Sequence, residues 1–127
     1  MAIRFNHTIL PSRDAARSAR FTAEVLGLPA PRRSGFFHVI DIADAASIDY
    51  AEPPVDFHGQ HVAFLVSDAE FDAILARIRE RGIEHWADPR KSKPGQINHL
   101  HGGRGVYFDD PDGNHLECIT VPYSKEE

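Results

Sequence analysis

This chain is poor in several things, and each shortage closes a possibility. Among 127 residues there is a single cysteine, Cys118, so no intramolecular disulfide can form. That usage fits a reducing, cytoplasmic setting. No apolar run approaches the length needed to cross a bilayer. The opening MAIRFNHTIL lacks the basic leader and apolar core of a signal peptide. Positive charge is also in deficit: 14 Lys and Arg stand against 19 Asp and Glu, a net charge of -5 with the signs mixed along the chain. That balance gives no reason to expect nucleic acid as a partner. There is no phosphate-binding loop either. Gly102-Gly103-Arg104-Gly105 lacks the G-x-x-x-x-G-K-[ST] pattern and leads into a strand rather than a helix.

What is present is ordinary for one globular domain with its own core, at 42% hydrophobic and 26% charged. Eight histidines are the surplus, and their positions carry the argument. Alternation predicts a strand over 3–10, with Ile3, Phe5, His7 and Ile9 on one face. Asp14 can cap a helix over 15–26, with Phe21 and Val25 on its core side, and Gly27 can close it. Strands over 36–42 and 47–51 follow. The two prolines of 51–59 mark a linker, and then the pattern restarts. A strand over 60–66 places His61, Ala63 and Leu65 on one face. Ser67 and Glu70 make a capping box for a helix with Phe71, Ile74, Leu75 and Ile78 on its core stripe, closed by Gly82. A short strand over 83–86 and a long polar loop over 88–104 come next. The loop is basic through Arg90, Lys91 and Lys93, and loops of that length commonly act as lids or binding loops. Two strands joined by the Asp110-Pro111-Asp112-Gly113 turn finish the domain, and the tail 125–127 is expected to fray.

The restart is an internal repeat. His7 precedes the helix-start Asp14 as His61 precedes Asp68, and Ser47-Ile48-Asp49 aligns with His115-Leu116-Glu117. The expected fold is α+β: two paired β-α-β-β-β modules forming a curved mixed sheet, with helices on the outer face. Module one covers 1–52, the linker 53–59 and module two 60–123, all within a single domain.

Glu117 falls in the middle of a strand, where a carboxylate is costly unless paired or bound to a cation. His7 and His61 occupy equivalent places on equivalent strands. If a pseudo-two-fold relates the modules, two imidazoles and one carboxylate can converge. That donor set suits Fe(II), Mn(II), Zn(II) or Ni(II) and leaves open positions for a substrate. Taken singly, each residue is better read as an ordinary strand histidine or a wet carboxylate. Together, at repeat-related positions, they favour a metal. Asp49, the repeat equivalent of Glu117, is open to three readings: fourth ligand, general base, or a solvated rim residue. Arg104 is a candidate contact for an anionic substrate, against the plainer reading of a solvated loop arginine. His85, His115 and Cys118 are read as structural.

Here the residues resemble a family. Asn6-His7-Thr8-Ile9, His61-Val62-Ala63-Phe64 and the run from Tyr107 through Asp110-Pro111-Asp112-Gly113 to Glu117 are similar to the vicinal oxygen chelate superfamily of glyoxalases, extradiol dioxygenases, fosfomycin resistance enzymes and bleomycin-binding proteins. The resemblance implies His7, His61 and Glu117 as metal ligands, a small-molecule substrate and a homodimer. Ile97-Asn98-His99, with Val106-Tyr107 and Glu117, further resembles the extradiol dioxygenase signature. It implies Fe(II), with His99 and Tyr107 beside the substrate oxygens as catalytic groups. Ring-cleaving relatives are longer and carry a further histidine, which neither His38 nor His58 matches. The same resemblance allows a glyoxalase-like isomerase or lyase, a fosfomycin-type resistance enzyme, and a metal-free antibiotic-binding protein.

Overall fold

Both helices begin where their capping residues put them. In the computed structural model, which describes residues 3–123, Asp14 accepts from the Arg17 amide at 3.1 Å. Helix α1 follows over Ala15–Leu26, and Gly27 closes it in the left-handed conformation at φ 74°. Ser67 and Glu70 form the reciprocal capping box of α2, Asp68–Glu80. The tail 125–127 lies outside the described residues. No described helix is long and apolar enough to cross a membrane.

Eight strands complete the fold: β1 His7–Pro11, β2 Arg32–Ser34, β3 Phe37–Asp41, β4 Ser47–Ala51, β5 His61–Leu65, β6 His85–Trp86, β7 Gly105–Asp109 and β8 His115–Ile119. They build two four-stranded mixed sheets, ordered β1-β4-β3-β2 and β5-β8-β7-β6. The repeat holds at the level of register. β1 runs parallel to β4 with His7 opposite Ser47 and Ile9 opposite Asp49. β5 runs parallel to β8 with His61 opposite His115 and Ala63 opposite Glu117.

The chain divides into two compact units. One runs to Gln60 and takes in Asp110–Asn114; the other holds His61–Asp109 and the chain from His115 on. Leu10, Val25, Ile40, Ile48 and Tyr50 are buried in the first. Burial on α1 falls on the small residues Ala15, Ser18, Ala19, Thr22 and Ala23, while Phe21 is only half-buried. In the second unit Phe71, Ile74, Leu75 and Ile78 are buried, as helical spacing predicts, with Val106, Phe108 and Leu116.

Two strands depart from expectation. β1 starts at His7 rather than Ile3, because its partner β4 starts at Ser47; the Ser47 amide donates to Asn6 O at 2.9 Å. Beyond that point the chain has no strand to pair with, and Ile3 and Phe5 stand exposed. β2 is short and wholly exposed, an edge strand without the apolar alternation that would announce it.

The Asp-Pro-Asp-Gly turn is the polar centre of the first unit. Asp110 is 4% exposed. It accepts from Tyr50 Oη at 2.6 Å, from Asn114 Nδ2 at 2.8 Å, and from the Asp112 and Asn114 amides at 2.9 Å each. Burial, and then Asp110 itself, push the Tyr50 phenol well up, so it remains a donor. Asp112 accepts from the hydroxyls of Ser12 and Ser18, the latter at 2.6 Å, and from the Arg13 amide at 3.0 Å. Gly59 lies so close to the turn that a Cβ there would collide with the Gly113 carbonyl.

Burial raises the Asp112 carboxyl, but the Ser12, Ser18 and Arg13 contacts outweigh it, and the net shift is downward from the ordinary 3.8. A carboxyl depressed in the folded state contributes stability above its ordinary value. That contribution is lost as pH falls through the depressed one. Asp112→Asn is therefore expected to lower the melting temperature at pH 7 and to flatten its fall between about pH 4 and pH 2. Asp41 and Asp88, also depressed, remain in both proteins. Parallel melting curves for variant and wild type across that range would remove Asp112 from the acid response.

Candidate active site

The sheet register of the second unit brings four of its polar side chains together. β8 lies between β5 and β7, so Glu117 has Ala63 on one side and Tyr107 on the other, and His115 sits opposite His61. His61 Nε2 lies 2.9 Å from Glu117 Oε1. Glu117 is 1% exposed and His61 about half exposed, so the carboxylate forms the floor and the imidazole the rim.

Tyr123, beyond the end of β8, donates its hydroxyl hydrogen to Glu117 Oε2. A hydroxyl has one hydrogen to give, so Tyr123 accepts from Tyr107 Oη, 3.2 Å away. Burial, then Tyr123 and Glu117, raise the Tyr107 phenol; burial, then Glu117, raise that of Tyr123 against an opposing pull from Tyr107, and both stand above their ordinary 10.0. They are donors at neutral pH.

A second line of groups stands behind the first. His115 Nδ1 donates to Asp109 Oδ1 at 2.6 Å, and Lys91 Nζ donates to Asp109 Oδ2 at 2.6 Å. The His115 ring stacks on Tyr107, centroids 5.2 Å apart, and meets His61 edge-on at 5.5 Å. Its Nε2 is buried without a partner. His115 was readable only as a structural strand histidine; its cross-strand position opposite His61 is the signal that marks it. Tyr123 offers no such signal, being in an irregular segment after the last strand.

The other sequence candidates are placed as follows. His7, in the first unit, has Nδ1 2.7 Å from Asn6 Oδ1. Asp49 is half-buried in the first unit and accepts from Ser47 Oγ at 2.7 Å. His99 stands exposed before the 3-10 turn Leu100–Gly102. It is His101, two residues on and at φ 57°, that meets a phenol, its ring 4.8 Å from that of Tyr123. Arg104 is committed elsewhere: it pairs with Asp68 at 3.0 Å and Asp72 at 2.7 Å on α2 and lies over the Phe71 ring. Its guanidinium clamps the helix.

The basic loop over 88–104 is tied down rather than mobile. Asp88 accepts from the amides of Ser92 and Lys93, each within 3.0 Å, and from Ser92 Oγ. The Gly95 amide donates to His85 O, and Asn98 exchanges backbone hydrogen bonds with Gly105. Cys118 is fully buried and its thiol is pushed up to about 12, first by burial and then by Glu117, so it is inert as expected.

The donor set suits a divalent ion. A carboxylate buried to 1% exposure should face a cation, yet its hydrogen-bonding partners are an imidazole and a phenol, neither a fixed positive charge. Imidazole nitrogen beside carboxylate oxygen is the chemistry of Fe(II), Mn(II) and Zn(II) sites. Among the described residues no three His, Cys, Asp or Glu side chains are grouped as a complete metal cage.

Several known proteins are similar to this chain. Two solved structures match almost end to end. "Oxidase ChaP-H1" is 50% identical with a TM-score of 0.93, covering 97% of this chain and 99% of that one. "Oxidase ChaP-H2" is 47% identical, also at 0.93, covering 98% of each. "Glutathione transferase FosA" of Serratia marcescens is 29% identical over 118 residues, 88% of this chain and 77% of that protein. A family model described as Glyoxalase/Bleomycin resistance protein/Dioxygenase superfamily matches residues 4–118. The chain belongs to that superfamily.

Proposed function

We propose that this protein is a divalent-metal enzyme, with Fe(II) favoured, that uses O₂ on a small substrate bearing two neighbouring oxygens. The class is oxidase or extradiol-type dioxygenase. The observation that carries this reading is Glu117: a buried charge with His61 beside it and no fixed cation among its partners. The likeness to two oxidases at 50% and 47% identity supports the oxygen chemistry.

His61 and Glu117 would hold the metal, with His7 as the third ligand, drawn from the same chain or from a second copy in a homodimer. When bound, the metal would supply a Lewis acid for the substrate oxygens and a centre for redox chemistry. The chain's own groups do the rest. Tyr107 holds its proton on Oη and, on turning away from Tyr123, can donate it to a substrate oxyanion, while Tyr123 keeps its hydrogen on Glu117. The His115–Asp109–Lys91 line fixes the ring on which Tyr107 stacks. His101, against Tyr123, is placed to take the loop-histidine role that the resemblance suggested for His99.

The test is anaerobic loading with Fe(II) followed by oxygen-electrode measurement with a panel of catechols. Uptake that vanishes in His61→Ala is expected. Stoichiometric metal without uptake would end the oxygenase reading. It would favour group transfer, the activity named for the Serratia marcescens relative. No metal binding at all would leave a metal-free binding protein.

A further inference from the structure

The two oxygens of Glu117 are held differently. Oε1 faces His61 Nε2 at 2.9 Å, while Oε2 takes the hydrogen of Tyr123 Oη. We propose that Tyr123 is a positioning residue: its hydroxyl ties up one oxygen of Glu117, so that the carboxylate binds a divalent cation through the other oxygen alone, on the His61 side. This rests on the metal reading above and deepens it.

Three observations support it. First, the phenols are wired in one direction. Tyr123 donates to the carboxylate, so Tyr107 must donate to Tyr123, and the chain of hydrogen bonds ends on Oε2. Second, the Tyr123 ring has its own support. His101 lies 4.8 Å from it and could hold a phenylalanine equally well. The hydroxyl therefore has no packing task; its contacts are Glu117 and Tyr107. Third, the carboxylate is buried and cannot obtain this hydrogen bond from solvent. A carboxylate free at both oxygens can take two positions on a metal, whereas one tied at Oε2 takes one. The position saved is available to a substrate oxygen.

The test uses the full chain and Co(II), whose visible bands report coordination number. Tyr123→Phe keeps the ring and removes the hydroxyl. The variant is expected to bind Co(II) about 10- to 100-fold more weakly, with altered visible bands and an unchanged metal-free melting temperature. Unchanged affinity and spectrum would overturn the proposal. Tighter binding would also overturn it, because the hydroxyl would then be competing with the metal. Weaker binding with an unaltered spectrum would assign Tyr123 to packing and overturn it, whether or not the melting temperature falls. Wild-type protein that takes up no Co(II) would overturn the metal reading and this one with it. Wild-type uptake that Tyr123→Phe does not perturb would overturn this one alone.

Discussion

Glu117→Gln is expected to strip the protein of its divalent metal while leaving the metal-free fold as stable as before, or more so. The argument is one of shape and charge. The amide has the outline of the carboxylate. Its oxygen can accept from Tyr123 and its nitrogen can donate to a neutral His61, so neither neighbour is orphaned. What disappears is a negative charge buried to 1% exposure. Such a charge costs folding energy when its neighbours are neutral, and its removal is neutral or stabilising. The same charge is what a divalent ion needs, and a direct ligand should matter more than the about 10- to 100-fold typical of an outer partner. Isothermal titration with Zn(II) or Co(II), beside melting curves in chelator, separates the two effects. If Glu117→Gln lowered the metal-free melting temperature steeply, the carboxylate would be one half of a structural ion pair with protonated His61. The metal reading would then lose its main support.

The second large effect is expected far from this chemistry. Asp110→Ala should cost on the order of 3–5 kcal/mol, because it leaves four donors without their acceptor. They are Tyr50 Oη, Asn114 Nδ2 and two backbone amides. Tyr50 is fully buried, and its hydroxyl would be left with Thr22 Oγ1 at 2.9 Å. The melting temperature should fall by more than about 10 °C, with Asp110→Asn intermediate, since one amide group can replace only some of the acceptors. Chemical denaturation of both variants measures this. An Asp110→Ala protein that melts within a few degrees of wild type would show that the turn is held by its backbone alone.

These two carboxylates mark how far the sequence could be read. Asp14, Ser67, Glu70 and Gly27 announce the helix ends because capping is local chemistry between residues a few positions apart. β4 and the paired strands of each module follow from alternation, and the repeat seen in the sequence recurs in a register the structure supplies, His7 against Ser47 as His61 against His115. Glu117 stands out because a strand-centre carboxylate conflicts with its surroundings, and such conflicts gather at functional sites.

The misses share one cause: their meaning lies in partners remote in sequence or outside any regular element. β2 carries Arg32, Arg33 and Ser34 and exists only as an edge to β3. Tyr123 reads as one more residue after the last strand, and only the folded chain puts its hydroxyl on Glu117. Arg104 between glycines suggested a ligand, yet it belongs to Asp68 and Asp72, more than thirty residues earlier. The Asp-Pro-Asp-Gly run was legible as a turn, but nothing local could show that it serves Ser12, Ser18 and Tyr50.

That last feature bears on the order in which the molecule assembles. Residues up to Gln60 already contain β1–β4 and α1, all the regular structure of the first unit. Yet Tyr50 and the two serines wait for acceptors that leave the ribosome only with Asp110 and Asp112, sixty to a hundred residues later. The polar interior of the first module is thus closed by a turn made only after β5, α2, β6 and β7. Such long-range closure is slow compared with helix or hairpin formation. Until it happens Tyr50, Ser12 and Ser18 lack their carboxylate acceptors, and translation of the 110–114 turn doubles as a late folding step of the first module.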